Sequence, residues 1–432
     1  MGLQKFKKGS IILKKEQMFY FKTVRKMECI ILHCDLNNFF ASAALTKNVT
    51  LKGLPLAVCG DTKKRHGIVL AKNEAAKAYG IQTAETVWSA KAKCPELITI
   101  LPDFDLYESL SAAARVIYSQ YSEKVECFGI DECWVDLSDP AMNFKRAVQV
   151  ANDIRRRMKR ELRLTVSCGV SFSKYFAKLG SDLKKPDATT CISRENYKSL
   201  VWPLPCEALL MVGRKTKQAL NGLGIFTVGD LANAPKEALS TRLGVNGVKL
   251  KNAANGADGE SVTDYKNRPL PKSVSRSVTA ERDLTTPAEV YAALIGFAEK
   301  VAVQLRQYGL LAGSVGVTVV NPAFEGAELT APLPELTNNS AILAKHAFAL
   351  FKNGYSQSTP VRAIGLRAAN LSPESLVQRQ LSLFGEPVET ERLQKIEDSM
   401  LKIREKYGEQ AIMRAACLNS AAKAFSPGFF KG

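Results

Sequence analysis

Histidine is scarce in this chain, with three residues in 432, at His33, His66 and His346. None of them lies in a motif with a serine or cysteine nucleophile, so neither a Ser-His-Asp triad nor a histidine-ligated metal site is expected. Ten cysteines are present, but no two have the Cys-x-x-Cys spacing of a zinc or redox site. Several fall on alternating apolar positions of predicted strands, where a reduced thiol behaves as a small hydrophobic group. Carboxylates remain as the candidate metal ligands, and the free thiols indicate a reducing cytoplasm.

The chain also lacks the run of about 18 apolar residues that a membrane span requires. Its first 26 residues hold eight Lys or Arg against the single acid Glu16, and the apolar stretch Ile11–Leu13 is too short for a secretion signal. We therefore predict a soluble protein with no membrane association. The basic N-terminal extension, residues 1–26, is either an arm that grips phosphate or translated leader sequence. We favour the leader, because Met27 stands immediately before the first predicted strand.

Acidic residues are outnumbered, since 42 Asp and Glu face 60 Lys and Arg and give a formal charge of +18. A charge of this size and sign suggests a polyanionic partner, with nucleic acid as the leading candidate. A ribosome-bound or anionic-membrane protein would also be basic. The length and the 46% hydrophobic content predict a globular chain of several domains.

An acidic pair, Asp131 and Glu132, stands inside the apolar stretch Val125–Leu137. Apolar and polar residues alternate around it, which predicts a hairpin with both acids at its bend. An adjacent Asp-Glu is by itself typical of a solvated turn. A third acid, Asp35, ends the apolar strand that starts at Ile30. If the two strands pair, three carboxylates meet at one sheet edge and offer Mg²⁺ the oxygen ligands it prefers.

Further elements of the same sheet follow along the chain. A helix is expected over Leu106–Val125, and apolar residues recur at helical spacing from Phe144 to Met158. Residues Leu164–Phe172 alternate, which predicts a strand with one buried face. A helix over Lys174–Lys184 comes next. This order predicts an α+β sheet with its helices on one side.

An insert separates the first strand from the rest of this sheet. It contains a predicted strand over Leu54–Cys59, a basic turn, and a helix over Ala71–Lys77 that stops at Gly80. Lysines of this helix could contact phosphate. A solvated helix face would carry the same residues.

Beyond residue 202 the composition shifts to short helices rich in glycine. Met211–Leu220 and Leu223–Leu231 predict a helix-hairpin-helix. The glycine turn of this motif exposes backbone N–H groups at a helix start, and these groups can bind a phosphate without contacting a base. The candidate contacts are Gly213, Lys215 and Lys217. The alternative is an ordinary helical corner.

A linker over residues 264–273 precedes a second α+β region. Thr286 and Glu289 form a capping box that predicts a helix ending near Tyr308. The other predicted elements are a strand over Val315–Val319, a helix over Ser340–Lys352 and a strand over Val361–Leu366. A tail over 372–432 contains the peptide Gln380–Phe384 and an amphipathic helix from Leu393 to Tyr407.

Four motifs occur in one order along the chain. They are His33-Cys34-Asp35-Leu36 with Phe39-Phe40, then Ile130-Asp131-Glu132, then Gly169-Val170-Ser171 with Lys174, Ala177-Lys178, Asp182 and Lys185-Pro186, and last the helix-hairpin-helix. In this combination the chain resembles the Y-family translesion DNA polymerases of the UmuC and DinB types, from Met27 to about Phe384. The resemblance implies a right-hand fold. Its parts would be a palm over 27–37 and 104–193, fingers over 38–103, a thumb over 194–263 and a little finger over 274–371.

The resemblance also implies a catalytic metal site. Asp35, Asp131 and Glu132, with the backbone carbonyl of Leu36, would hold two Mg²⁺ ions. Such a pair lowers the pKa of the primer 3′-hydroxyl and neutralises the triphosphate during phosphoryl transfer. The implied activity is DNA synthesis past damaged template bases.

Nucleotide contacts follow from the same resemblance. The backbone amides of Asn38, Phe39 and Phe40, with the side chains of Lys77 and Lys185, would bind a deoxynucleoside triphosphate. Phe40 would also be a steric gate against a ribose 2′-hydroxyl, and a core aromatic beside Phe39 is the alternative. The fingers helix departs from the family pattern, because Glu74 and Lys77 stand where many relatives carry Tyr and Arg.

The implied partners are primer-template DNA, deoxynucleoside triphosphates and a sliding clamp, with the enzyme acting as a monomer. The clamp would bind the peptide Gln380-Leu381-Ser382-Leu383-Phe384. Two other readings remain open. A catalytically silent DNA-binding scaffold would not need the three carboxylates, and a nucleotidyl cyclase would need neither the helix-hairpin-helix nor the clamp peptide.

Overall fold

The computed structural model describes residues 28–62, 67–257, 259–264, 269–356, 359–376, 387–408 and 411–415. The basic extension 1–26 and the peptide Gln380–Phe384 lie outside the described residues. The described chain separates into two compact units. Residues 59–68, 86–88 and those from 269 onward form one unit, and the others up to 268 form the first. Each unit has its own buried core.

The first unit begins with a strand, a helix and a small three-stranded sheet. In chain order these elements are β1 (Ile31–Leu36), α1 (Phe39–Lys47), β2 (Leu56–Cys59), β3 (Val69–Lys72), α2 (Glu74–Ala78), α3 (Val87–Lys93) and β4 (Ile98–Ile100). β2 lies between β3 and β4. The helix predicted over Ala71–Lys77 starts later than predicted, because Ala71 and Lys72 belong to β3. Its N-cap is Asn73, whose side chain accepts the amide of Ala76.

A five-stranded sheet forms the centre of this unit. The chain continues with α4 (Phe104–Ser119), β5 (Val125–Cys127), β6 (Glu132–Asp136), α5 (Phe144–Arg157), β7 (Val166–Ser171), α6 (Lys174–Leu183) and β8 (Thr189–Ile192). The sheet order is β5-β6-β1-β7-β8. The predicted hairpin and its pairing with the first strand are confirmed, since β6 runs antiparallel between β5 and β1. The sequence pattern does not predict β8, which pairs parallel with β7.

Helices cover both faces of this sheet, so the prediction of helices on one side is wrong. α4 and α5 pack on the face that carries Cys34, and α6 packs on the opposite face, where Ile31 and Trp134 contact Ala177. β7 is therefore buried along its whole length and not on one face only. Its alternating polar positions are serines and a glycine, small enough to face a helix. At Gly169 a Cβ would lie 1.9 Å from the carbonyl oxygen of Ala177, so only glycine permits this packing.

A group of short helices completes the first unit. They are α7 (Tyr197–Val201), α8 (Arg214–Asn221), α9 (Val228–Asn233), α10 (Lys236–Leu243) and α11 (Val245–Ala254). α8, the hairpin at 222–227 and α9 form the predicted helix-hairpin-helix. Gly224 has a φ of +74° in this hairpin, a conformation that residues with a Cβ adopt at a cost. Thr227 and Asp230 form a capping box that starts α9.

The second unit is a four-stranded antiparallel sheet with two helices in its core. Its elements are β9 (Ser273–Leu284), α12 (Pro287–Gln307), β10 (Leu310–Val320), β11 (Gly326–Thr337), α13 (Ser340–Gly354) and β12 (Val361–Pro373), in sheet order β11-β10-β12-β9. The capping box of Thr286 and Glu289 is confirmed. β9 and β11 were not expected. β11 contains Pro332 and Pro334, which an edge strand tolerates because one side of it forms no ladder.

Helix α14 (Pro387–Tyr407) is held on the second unit by charge. Glu397 is 5% exposed, accepts the amide of Ser340 at 2.8 Å and pairs with Arg306 at 2.6 Å. Ile396, an apolar residue within the predicted amphipathic helix, is 44% exposed. The buried face of α14 is therefore centred on a paired carboxylate. In the described part of the chain, no helix is both long enough and apolar enough to cross a bilayer.

Candidate active site

Asp35, Asp131 and Glu132 lie at one edge of the five-stranded sheet. Asp35 stands opposite Glu132 in the register of β1 and β6, and its side chain is almost fully buried. Asp131 immediately precedes β6, and its backbone carbonyl accepts the amide of Leu36 at 3.1 Å. The antiparallel pairing thus brings together acids that are far apart in the chain.

Two ammonium groups contact Asp35 from the α6 side, and one of them also contacts Glu132. Nζ of Lys178 lies 2.9 Å from Oε1 of Glu132 and 3.3 Å from Oδ2 of Asp35. Nζ of Lys185 lies 2.8 Å from the same Asp35 oxygen. Asp182 pairs with both lysines, at 3.4 Å and 2.9 Å. As they stand, no three Asp, Glu, His or Cys side chains in the described residues converge closely enough to bind one metal ion.

The carboxylates differ in their electrostatic surroundings. Burial, with repulsion from Asp35 and Glu132, raises the pKa of Asp131 to about 6. Burial also acts to raise the pKa of Glu132, but the adjacent His33 and Lys178 outweigh it and lower that pKa to about 2. The edge concentrates negative charge, which a cation would stabilise.

His33 holds one side of Glu132. Its ring is fully buried, with Nδ1 2.8 Å from the hydroxyl of Ser181 and Nε2 3.4 Å from Oε2 of Glu132. The ring also packs edge-on against Trp134, with centroids 5.2 Å apart. Among the residues that the structure covers, neither Nε2 of His33 nor Oε2 of Glu132 has a hydrogen-bond partner. Oε2 of Glu132 thus faces the ring nitrogen of His33, and Oε1 faces Lys178.

The start of α1 has no side-chain cap. Asn38, its N-cap residue, has a φ of +50°, and its amide group donates to Oε1 of Glu74 at 2.9 Å instead of accepting from the helix. Lys77 lies 3.8 Å from Oε2 of the same Glu74. Among the predicted nucleotide ligands, Lys185 contacts Asp35 directly, whereas Lys77 is paired with Glu74 within α2.

The two adjacent phenylalanines have different surroundings. Phe39 is 3% exposed and belongs to the core. Phe40 is half-buried, and its ring stacks on Tyr107 with centroids 4.2 Å apart and planes 8° apart. Tyr107 is itself fully buried, so it forms a fixed support for the Phe40 ring.

Sequence reasoning gave no role to two residues of this site, Lys178 and Tyr107. Lys178 lies four positions before Asp182, a spacing that places both on one face of α6, and this was the available signal. Tyr107 carried no signal, since it was one aromatic in a predicted helix. Its stacking on Phe40 depends on how α4 packs against α1.

The candidate DNA contacts lie at the start of α8. Gly213 is its N-cap, so no side chain caps the first amides. Lys217 pairs with Glu207 at 2.5 Å. Lys215 has no ion-pair partner among the described residues. The candidate clamp peptide, Gln380–Phe384, lies outside them.

Known proteins are similar to this chain over about nine-tenths of its length. Residues 34–182 match the impB/mucB/samB family, and residues 271–383 match the C-terminal domain of the same family. The chain is 42% identical over 392 residues to DNA polymerase IV of Acetivibrio thermocellus, covering 91% of this chain and 98% of that protein. It is 34% identical over 396 residues to DNA polymerase IV 1 of Bacillus subtilis, covering 90% and 93%.

A solved structure agrees in fold. A Y-family DNA polymerase chimera of Dbh and Dpo4 matches with a TM-score of 0.69, covering 79% of this chain and 98% of that chain, at 21% identity. At that identity the match supports the fold alone. Since two family domains and relatives over nine-tenths of the chain agree, the chain belongs to the Y family of DNA-directed DNA polymerases.

Proposed function

We propose that this polymerase extends a primer opposite damaged template bases, using divalent metal ions held by Asp35, Asp131 and Glu132. The observation that carries the proposal is the meeting of these acids at one sheet edge, with Asp35 opposite Glu132, Lys178 between them and Lys185 on Asp35. The substrates would be primer-template DNA and deoxynucleoside triphosphates. The enzyme would act as a monomer in the cytoplasm.

The donor set fits two Mg²⁺ ions. Carboxylate oxygens, with the backbone carbonyl of Leu36, are the hard ligands that this ion prefers. Oε2 of Glu132 supports the fit, because Nε2 of His33 lies 3.4 Å away without forming a hydrogen bond to it. Bound there, the ions would lower the pKa of the primer 3′-hydroxyl and neutralise charge on the triphosphate.

The two lysines would have separate tasks. Lys178 is the more deeply buried, with 14% of its side chain exposed against 30% for Lys185. It contacts both Asp35 and Glu132 and would keep these carboxylates from repelling each other. Lys185 lies just past the end of α6 and can turn to phosphate oxygens of an incoming nucleotide.

The triphosphate would also bind the first amides of α1, from Asn38 to Phe40. These amides carry the partial positive charge of a helix N-terminus, and no side chain caps them. Lys77 would contribute after leaving Glu74. Both side chains of that pair are about half exposed, so the ion pair is weak and a triphosphate can compete for the lysine.

Phe40 would lie beneath the sugar of the incoming nucleotide and exclude a 2′-hydroxyl. Its ring stacks on the buried Tyr107, which blocks movement of the ring in that direction. Selection against ribonucleotides would therefore rest on a rigid aromatic pair.

Primer-template DNA would be held without reading its sequence. No described atom outside the chain neighbours of Gly213 lies within 4 Å of the position that a Cβ would take there, so a phosphate can approach the first amides of α8. Lys215 would add a positive charge. Lys217 would add less, because Glu207 already pairs with it. The overall charge of +18 would make this binding fall with salt.

The peptide Gln380–Phe384 would dock on the sliding clamp. It follows β12 and precedes α14, so it belongs to neither of these elements. Leu383 and Phe384 offer apolar anchors of the kind that dominate peptide interfaces. Changing both residues to alanine is therefore expected to remove stimulation by the clamp and to leave activity without the clamp unchanged.

Primer extension with and without the clamp measures this effect. Ser382→Ala is the matched control, because it alters the same peptide without removing an apolar anchor. Equal stimulation of the double variant and the unaltered chain would contradict the role of the peptide.

Extension of a primed template with one abasic site tests the proposed function. We expect insertion opposite the site with Mg²⁺ and the four deoxynucleotides, and no insertion with a chelator. An undamaged template, run in parallel, separates polymerisation from bypass. Extension of that template alone would contradict the translesion role, and DNA binding without any extension would favour the scaffold alternative.

A further inference from the structure

Four cysteines lie side by side across the five-stranded sheet, one on each of four neighbouring strands. In sheet order they are Cys127, Cys133, Cys34 and Cys168, on β5, β6, β1 and β7. Each is the register partner of the next: Cys127 faces Cys133, Cys133 faces Cys34, and Cys34 faces Cys168. Directly opposed residues of paired strands point to the same face, so the four thiols form one row.

The cysteine row adjoins the candidate metal ligands. Cys34 precedes Asp35, and Cys133 follows Glu132. Because successive residues of a strand point to opposite faces, the thiols occupy the face under α4 and α5 and the carboxylates the face under α6. A change in backbone position at the row would reach both acids.

The thiols fall into two close pairs. The Sγ atoms of Cys127 and Cys133 are 3.8 Å apart, and those of Cys34 and Cys168 are also 3.8 Å apart. Each pair belongs to the type without direct backbone hydrogen bonds, in which the side chains approach most closely. For the first pair this follows from its neighbour, since the amide of Phe128 donates to the carbonyl of Glu132 at 3.0 Å and the two types of pair alternate. Such a pair has the Cα spacing that a disulfide requires.

Only one pair can be reached from solvent. Cys34 and Cys168 are fully buried. Cys127 is partly exposed on β5, the edge strand, and Cys133 lies directly behind it with 4% exposure. A small oxidant would therefore meet Cys127 first and find Cys133 as the nearest second thiol.

We propose that Cys127 and Cys133 are a reversible modification site that a peroxide converts to a disulfide. The Cys127 thiolate attacks one peroxide oxygen, the O–O bond breaks, and the second oxygen leaves as water after protonation. The sulfur of Cys133 then attacks the resulting sulfenic acid, forms the S–S bond, and its proton leaves with the hydroxyl as a second water. Two sulfurs lose two electrons in total, and one peroxide is reduced to two waters.

Closing this bond would disturb the catalytic edge, a consequence that rests on the proposed role of Glu132. The two sulfurs must approach from 3.8 Å to the roughly 2.05 Å of a disulfide. Rotation of the two side chains closes the gap, and the backbone adjustment that accompanies it passes directly to Glu132, because Cys133 is bonded to that residue. A misplacement of about 1 Å in an active site can cost about 10²-fold in rate. The oxidised enzyme is thus slowed, and a thiol reductant restores it.

Mass spectrometry of the full chain after hydrogen peroxide tests the modification itself. The tryptic peptide 125–145 carries both cysteines, and we expect it to lose two hydrogens and to resist alkylation. Cys191, partly exposed on β8 of the same sheet but outside the row, is the control thiol for general oxidation. A peptide 125–145 that remains fully alkylated while Cys191 is oxidised would overturn the proposal.

Primer extension assays of the same samples test whether the disulfide slows nucleotide addition. The reduced enzyme is assayed first, so a failure of the proposed function is seen independently of any disulfide. We expect at least a tenfold loss of rate after peroxide, recovery with dithiothreitol, and no such loss in Cys127→Ser. A disulfide that leaves the rate unchanged, or an equal loss in Cys127→Ser, would overturn the coupling to Glu132.

Discussion

Replacing Asp131 or Glu132 with alanine should abolish nucleotide addition and leave the affinity for primer-template DNA close to that of the unaltered chain. Each substitution removes an oxygen proposed to bind metal and no proposed phosphate contact, so the loss falls on the chemical step. We expect kcat to fall by about 10²–10³-fold or more, the scale on which single preorganised electrostatic groups act. Single-nucleotide incorporation and anisotropy of a labelled primer-template measure the two quantities.

Asp136→Ala is the matched control. Asp136 lies on the same strand, β6, but at its other end, opposite Ile31 and beside Lys124 at 3.4 Å. Its loss should not change incorporation. Normal incorporation by both site variants, or an equal loss in Asp136→Ala, would refute the assignment.

The two site variants should also differ in stability when metal is removed with a chelator. Asp131 is buried and is repelled by its neighbours, and its pKa is raised to about 6. Its ionisation therefore opposes folding from about pH 4 upward, and the full effect is present above about pH 6. Asp131→Ala should therefore raise the melting temperature at about pH 7 and lose this gain near pH 3, where the carboxyl is mostly protonated in both folded and unfolded chains. Glu132→Ala removes one of the three carboxylates that pair with the half-buried Lys178, so it should lower the melting temperature. Thermal unfolding at the two pH values distinguishes these outcomes.

Phe40→Ala should admit ribonucleotides far more readily than the unaltered enzyme. With Phe40 stacked on Tyr107, a 2′-hydroxyl can enter only by compressing the ring against a buried neighbour. Overpacking of this kind costs roughly 1–3 kcal/mol, which corresponds to roughly 5- to 150-fold in discrimination. Incorporation of a ribonucleotide and its deoxy counterpart opposite one template base gives the ratio directly.

The structure also defines the control for the gate. Phe39→Ala would open a cavity in the core, so Phe39→Leu is the better comparison and should leave the ratio unchanged. Tyr107→Phe keeps the stacked ring and should behave like the unaltered enzyme. If Phe39→Leu shifts the ratio and Phe40→Ala does not, the gate has been assigned to the wrong residue.

Patterns whose cause lies within a few residues were predicted well. The capping box of Thr286 and Glu289 and the hairpin that presents Asp131 and Glu132 are examples, because neighbouring side chains and alternation are enough to produce them. The helix at 71–77 was misplaced for a different reason. Its first two residues pair in the three-stranded sheet, and strand pairing depends on a partner that local helix propensity does not include.

From the residues alone came the acid-ended strand at Asp35, the acidic hairpin and the helix-hairpin-helix, because each is encoded by local spacing and composition. Folding added what depends on register and on packing between distant segments. It placed Lys178 and Lys185 on Asp35, stacked Phe40 on Tyr107, and aligned four cysteines in one row. The physical reason is that a one-residue shift in strand pairing would turn Asp35 and the four cysteines to the opposite face of the sheet. Only the assembled sheet and its covering helices determine which register is formed.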